Sequence, residues 1–307
     1  MAITQHYKLN LIQWYPGHIA KAEKALKEQL KLVDVVLEVR DARIPLATHH
    51  PMVNDWVGNK TKVLVMNRVD MISPAVKQIW TDWFKQQGER ALFTNAQQGK
   101  GVTAISKAAQ AAGTQINQKR RQRGMLPRPV RAVVIGFPNV GKSALINRLV
   151  KRRVVESAAR PGVTRQLRWV RISKELELLD APGVIPIKLE DQEAALKLAI
   201  CDDIGEASYD NQLVAAGFID IVNYLMATVI TETTEDEIVA NILPAQLLMS
   251  RYEIDPSGFT GDEFLHALAK NRYQGDAERA ARKILTDFRR GSLGQIPLEL
   301  PLDLGLS

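Results

Sequence analysis

From Asp34 to Leu179 the apolar residues come in short β-rich runs separated by polar helical stretches, whereas beyond about Glu190 they recur only at helical spacing. Asp34–Val39, Lys62–Met66 and Ala91–Thr94 read as strands, with a turn-rich stretch, Arg43–Pro51, and a helix, Pro74–Gln87, between them. This alternation predicts βαβ units. Ahead of it, the turn Tyr15-Pro16-Gly17 opens a helix whose stripe is Ile19, Ala22, Leu26, Leu30 and Val33. From Gly113 to Pro129 the chain is polar and basic, with Lys119, Arg120, Arg121 and Arg123 together and Pro127 and Pro129 closing the stretch, which reads as a linker. Arg131–Gly136, Leu167–Ile172 and Leu176–Leu179 supply three more strands, and Ser143–Val150 a helix. The remainder reads as helices Asp191–Ile204, Asn211–Ile230, Glu235–Arg251, Gly261–Arg272 and Ala277–Arg290, with Thr260 and Glu263 forming a capping box.

At 307 residues and 46% hydrophobic, the chain is long enough for two packed domains, and the change of pattern places them at residues 1–189 and 190–307. A lone cysteine, Cys201, reads as a small buried hydrophobe. Without a signal-peptide pattern, and with its most apolar helix, Gly217–Ile230, too short to span a bilayer and carrying Asp220, the chain is expected to be cytoplasmic and away from membranes. The net charge of +7 and pI near 9.4 favour a polyanionic partner, although charge alone fits a solvated basic surface equally well.

Gly136-Phe137-Pro138-Asn139-Val140-Gly141-Lys142-Ser143 satisfies the P-loop pattern between an apolar strand and a helix. Its backbone N–H groups, those of Asn139, Val140, Gly141, Ser143 and Ala144 among them, would cradle phosphates. Lys142, expected to stand in solvent until then, would reach the β and γ phosphates, and Ser143 would ligate magnesium. Asp180-Ala181-Pro182-Gly183 follows an apolar strand, as a D-x-x-G element that supports magnesium through Asp180 and meets the γ phosphate at Gly183. Thr164, in the loop between, suits a switch threonine meeting both metal and γ phosphate.

Asn67-Arg68-Val69-Asp70 resembles the N-K-x-D guanine motif, in which the aspartate accepts from guanine N1 and N2. Arg68 replaces the usual lysine, and can also lay its stem and planar head along a base. Together Asn67 and Asp70 disfavour adenine. Asn95 and Ala96, in Thr94–Gly101, resemble the S-A-x-x-G-x-G element, with the Ala96 N–H offered to guanine O6. The base-reading loops precede the P-loop, so the order is circularly permuted, and the expected fold is an α/β P-loop NTPase sheet with permuted GTPase motifs plus a smaller all-α C-terminal domain.

The chain resembles the YlqF/RbgA family of circularly permuted ribosome biogenesis GTPases. Beyond the motif order, the resemblance is carried by Gln13-Trp14-Tyr15-Pro16-Gly17-His18-Ile19-Ala20-Lys21-Ala22, by Asp41-Ala42-Arg43-Ile44-Pro45 and by Asp287-Phe288-Arg289-Arg290-Gly291. It implies a GTP phosphohydrolase that binds the precursor of the large ribosomal subunit, hydrolyses GTP late in assembly and leaves. It also implies that a monomer uses GTP with Mg2+, that Asn139 can help hold K+, and that the helical domain contacts rRNA, for which Arg279, Arg282, Lys283, Arg289 and Arg290 are available. Val184 stands where many GTPases place a water-orienting glutamine, and the family's Pro-Gly-His element points to His18 as the substitute. With Lys142 and Thr164, His18 completes the catalytic set. A GTPase acting on another RNA, such as tRNA, and an RNA-binding module with negligible hydrolysis are the competing readings.

Overall fold

The computed structural model describes residues 26–150, 168–180, 191–205, 209–232 and 246–301, which fall into two compact units. The first holds the described residues up to Val69 and those from Phe84 to the last strand; the second holds Asp70–Trp83 and the chain beyond Leu189.

The first unit is built on a six-stranded sheet. Its strands are β1 (Val35–Asp41), β2 (Thr61–Asn67), β3 (Ala91–Phe93), β4 (Val130–Ile135), β5 (Arg168–Arg171) and β6 (Leu176–Asp180), in the order β3-β2-β1-β4-β6-β5. All pairings are parallel except that of β5 with β6. β1 is buried along its whole length, as expected for a parallel strand covered on both faces. On one face Leu26, Leu30 and Val33 join Val36, Val133, Ile135, Leu179 and Trp56, the last from a short helix α1, Val53–Val57. The chain runs outward from β1 through β2 and β3, and then returns to the other side of β1 with β4. The reversal between β1 and β4 creates a crevice at the strands' carboxyl ends, the place where open parallel sheets bind ligands.

After α2 (Pro74–Gln86), the stretch read as a linker is in large part helix, because α3 runs from Val102 to Gln122 through Gly113. The glycine does not break α3 because it serves packing: a Cβ there would lie 1.8 Å from Val130 Cγ2. Lys119, Arg120 and Arg121 occupy the last turn, where cations meet the negative end of the helix dipole. Asn117 then exchanges hydrogen bonds with the backbone of Arg128, at 2.9 and 3.1 Å, and leads the chain into β4.

In the second unit the long apolar helix α6 (Asn211–Glu232) packs against α5 (Gln192–Ile200), α8 (Gly261–Arg272) and α9 (Ala277–Arg289), with α7 (Gln246–Tyr252) between α6 and α8 in the chain. The Thr260–Glu263 capping box forms. Gly261 permits a close crossing, since a Cβ there would lie 2.0 Å from Ala216 O. Among the described residues no helix is long and apolar enough to cross a membrane.

Candidate functional site

The P-loop leaves the carboxyl end of β4 under tight steric control. Gly136 has φ +149°, and a Cβ there would stand 2.2 Å from Val39 O on β1; at Gly141, with φ +98°, it would stand 2.1 Å from Asn67 Nδ2. Any side chain at either position would push the loop off its neighbours. Asn139 also takes a positive φ, 54°, which asparagine tolerates better than most residues. Helix α4 (Lys142–Val150) follows at once, so Ser143 and Ala144 lie in its first turn, where N–H groups lack intrahelical partners.

Lys142 departs from its expected place in solvent. It is 7% exposed, and its Nζ donates to Phe137 O at 2.7 Å and to Gly136 O at 3.2 Å. Folding back across the loop lets the ammonium satisfy its donors on carbonyl oxygens instead of water. Asp180 ends β6 and pairs in register with Val134, two residues before Gly136, which brings the start of the D-x-x-G element beside the P-loop. Thr164, Gly183 and His18 lie outside the described residues.

Asn67, the last residue of β2, ties the P-loop to the loop that follows β3. Its Nδ2 donates to Val140 O in the P-loop at 2.7 Å, and its Oδ1 accepts from Ala96 N at 3.0 Å. The N–H foreseen for a guanine oxygen is thus already held by Asn67, and a base oxygen would have to share it. Asn95 caps its own loop: its Oδ1 accepts from Gln98 N at 2.9 Å, while its backbone pairs with Lys100. Arg68, at φ +60°, sends Nη2 to Asn139 O at 2.9 Å. Asp70 is exposed in the 3-10 turn Val69–Met71 that follows β2.

Arg148 was not foreseen. From the last turn of α4 its Nε donates to Ala96 O at 3.3 Å, and its Nη2 donates to Gln97 O, which clasps the base-side loop to the helix that follows the P-loop. No local pattern marks an arginine in a helix's last turn for such a role.

The interior of β1 is charged where the crevice begins. Glu38, 1% exposed, accepts from Arg40 Nε at 2.7 Å and shares a 2.8 Å hydrogen bond with His49 Nδ1, with Lys62 Nζ at 3.8 Å. Burial pushes its pKa up, but the bond to His49 and the adjacent Arg40 guanidinium outweigh that and bring it to about 2.

The basic residues singled out near the C-terminus are not equivalent. Arg289 points its guanidinium at Ala199 O (2.8 Å), Ile200 O (3.0 Å) and Tyr209 OH (2.8 Å), holding the end of α5, so it is not available to phosphates as expected. Lys283 pairs with Asp287 and Arg282 with Glu278, while Arg279 lies over the Tyr273 ring. Of these, Arg282 remains 69% exposed and keeps a free face toward solvent.

Residues 131–247 match the model of the 50S ribosome-binding GTPase family. The chain is 34% identical over 301 residues to ribosome biogenesis GTPase A of Bacillus cereus, with 96% of each chain covered. It is 28% identical over 314 residues to mitochondrial ribosome-associated GTPase 1 of Bos taurus, covering 97% of this chain and 91% of that one. Among solved structures, GNP-bound YlqF from T. maritima shares the fold with a TM-score of 0.60 at 24% identity, covering 92% of this chain and 98% of that one. With its P-loop following β4 of a mainly parallel sheet, the chain is a GTP hydrolase and belongs to the YlqF/RbgA family of ribosome biogenesis GTPases.

Proposed function

We propose that this GTPase binds the precursor of the large ribosomal subunit and couples GTP hydrolysis to late assembly and to its own release. The observation that carries the nucleotide half of this reading is Asn67, whose single side chain holds the P-loop and the base-side loop together. GTP would lie along the carboxyl ends of β1, β2 and β4, with its phosphates on the backbone from Asn139 to Ala144 and Lys142 swinging from the Gly136 and Phe137 carbonyls to the β and γ phosphates. Asp70 would accept from guanine N1 and N2, and Arg68 would lie along the base. Ser143, in the first turn of α4, and Asp180, at the end of β6 in register with Val134, would supply oxygen ligands of the kind Mg2+ takes alongside water and phosphate; when bound, the ion would neutralise charge on the phosphates. Thr164 would complete that shell, Gly183 would meet the γ phosphate, and Asn139 would help hold K+.

Val184 cannot orient a water molecule, so we assign that task to His18, brought into place when the particle binds. Residues 190–307 would form the rRNA-facing domain, with Arg279, Arg282 and Arg290 on offer to phosphates and Arg289 reserved for α5. The partnership with ribosomes is supported by the names of the relatives, and the +7 charge favours RNA. Co-sedimentation with large-subunit particles under GTP, GDP or a non-hydrolysable analogue tests this: nucleotide-dependent, salt-sensitive binding is expected, and binding to small RNA but not to particles would replace it with the tRNA reading. His18→Ala should retain GTP affinity yet lose most particle-stimulated turnover. Stimulated turnover that survives in this variant would make His18 structural.

A further inference from the structure

The Asp41-Ala42-Arg43 run belongs to no nucleotide motif, yet both its charged side chains are fully buried at the carboxyl end of β1. Arg43 grips Asp41 by three bonds. Its backbone N and its Nε donate to Asp41 Oδ1 at 2.9 and 3.0 Å, and its Nη2 donates to Oδ2 at 2.7 Å. The pair is further fixed from both sides: Asp41 N donates to Thr48 Oγ1 at 3.1 Å, and Ala42 N donates to Asn67 O at 2.8 Å. Burying an ion pair this completely gives little net stability by itself, because desolvation offsets the attraction. A well-packed apolar pair would serve the core as well, so the charge calls for another use.

That use lies one strand over. Asp41 pairs in register with Asn67, and the residue after Asn67 is Arg68, whose Nε stands 3.4 Å from Asp41 Oδ2. The same guanidinium sends Nη2 to Asn139 O in the P-loop at 2.9 Å. Arg68 thus spans from a buried anion on β1 to a phosphate-loop carbonyl, from a backbone held at φ +60°. Without that anchor a long arginine, 28% exposed, would sample many rotamers at considerable entropy. Although burial alone would raise the pKa of Asp41, Arg43 and Arg68 hold it below the ordinary carboxylate range, so the anchor stays charged at any working pH.

We propose that Asp41, locked by Arg43, is a positioning residue that fixes Arg68 against the phosphate loop and thereby sets how tightly guanine nucleotide is retained. This rests on the nucleotide site described above. Arg68 touches the phosphate loop at Asn139 O and, in the function proposed above, lies along the base rather than at the γ phosphate, so the effect falls on GDP and GTP alike and on nucleotide release rather than on the chemical step.

The test is a double-mutant cycle on the full chain, with release of a fluorescent GDP analogue as the readout and thermal melting as the check on folding. Asp41→Asn should speed release about tenfold, as expected for loss of a charge-assisted contact. Arg68→Ala should do at least as much, and the double variant should release no faster than Arg68→Ala alone. Multiplying effects, or wild-type release from a folded Asp41→Asn protein, would overturn the proposal. If Asp41→Asn does not fold, Asp41→Asn/Arg43→Gln takes its place in the cycle, since it leaves no buried guanidinium unpaired. A wild-type chain that binds no guanine nucleotide would overturn the site itself, whereas a binding chain with additive variants would overturn only the positioning role.

Discussion

Asn67→Ala probes the join on which the whole site depends. The side chain is 4% exposed and makes two buried hydrogen bonds, to Val140 O at 2.7 Å and from Ala96 N at 3.0 Å. Truncation orphans one carbonyl and one N–H, each at about 1–3 kcal/mol. Loop relaxation and entering water recover part of this, so we expect a net loss of about 2–3 kcal/mol. For a unit of this size that lowers Tm by roughly 4–12 °C. The P-loop and the base-side loop also lose their common register, and nucleotide affinity should fall on the order of a hundredfold, because about 1.4 kcal/mol is worth tenfold. Melting with and without GDP reads both effects: nucleotide raises the wild-type Tm by mass action, and the rise should shrink in the variant. Asn67→Asp is the informative comparison, since it keeps an acceptor for Ala96 N but sets a carboxylate oxygen against Val140 O. It should fare no better than alanine. An Asn67→Ala protein that melts within a degree of wild type and binds GDP as tightly would refute the reasoning.

Acid should weaken the sheet unit through Glu38. Its folded pKa of about 2 lies below its ordinary 4.5, so the stabilisation is complete above 4.5 and is lost as pH falls toward 2, by about 3 kcal/mol. Glu38→Gln should flatten that limb of a denaturation-versus-pH series, and an unchanged limb would remove Glu38 as its source. Gly113→Ala should destabilise by on the order of 1 kcal/mol, because overpacking against Val130 outweighs the helix propensity that alanine gains; the added substitution Val130→Ala should not lower stability further, and a stabilised Gly113→Ala protein would contradict the close packing. Arg148→Ala should leave the melting temperature nearly unchanged, since the side chain is exposed, yet weaken GDP binding roughly three- to tenfold by freeing the carbonyls of Ala96 and Gln97. Equal affinity in isothermal titration would make the clasp incidental.

The phosphate loop and the six strands were legible because their chemistry is local. A backbone that wraps phosphates needs glycines at fixed offsets between a strand and a helix, and Gly136 and Gly141 stand where a Cβ would strike Val39 O and Asn67. The buried strands declared themselves by short apolar runs, Val35–Leu37, Val63–Met66 and Ala132–Ile135, even though β1 goes on to carry buried charges. The permuted motif order is likewise a property of the chain, and so is the capping box at Thr260. Where a residue's role depends on a partner far along the chain, the local pattern misled. Gly113 and its basic neighbours looked like a linker until Val130 explained the glycine. Arg289 looked like a phosphate ligand until α5 took up its guanidinium, and Lys142 looked solvated until it folded onto its own loop. The placement of β4 beside β1, the bridge made by Asn67, the clasp of Arg148 and the line from Arg43 through Asp41 to Arg68 were decided only by tertiary structure. Each is a contact between segments that the sheet brings together and the sequence keeps apart, and no spacing along a chain can encode which strand will lie next to which.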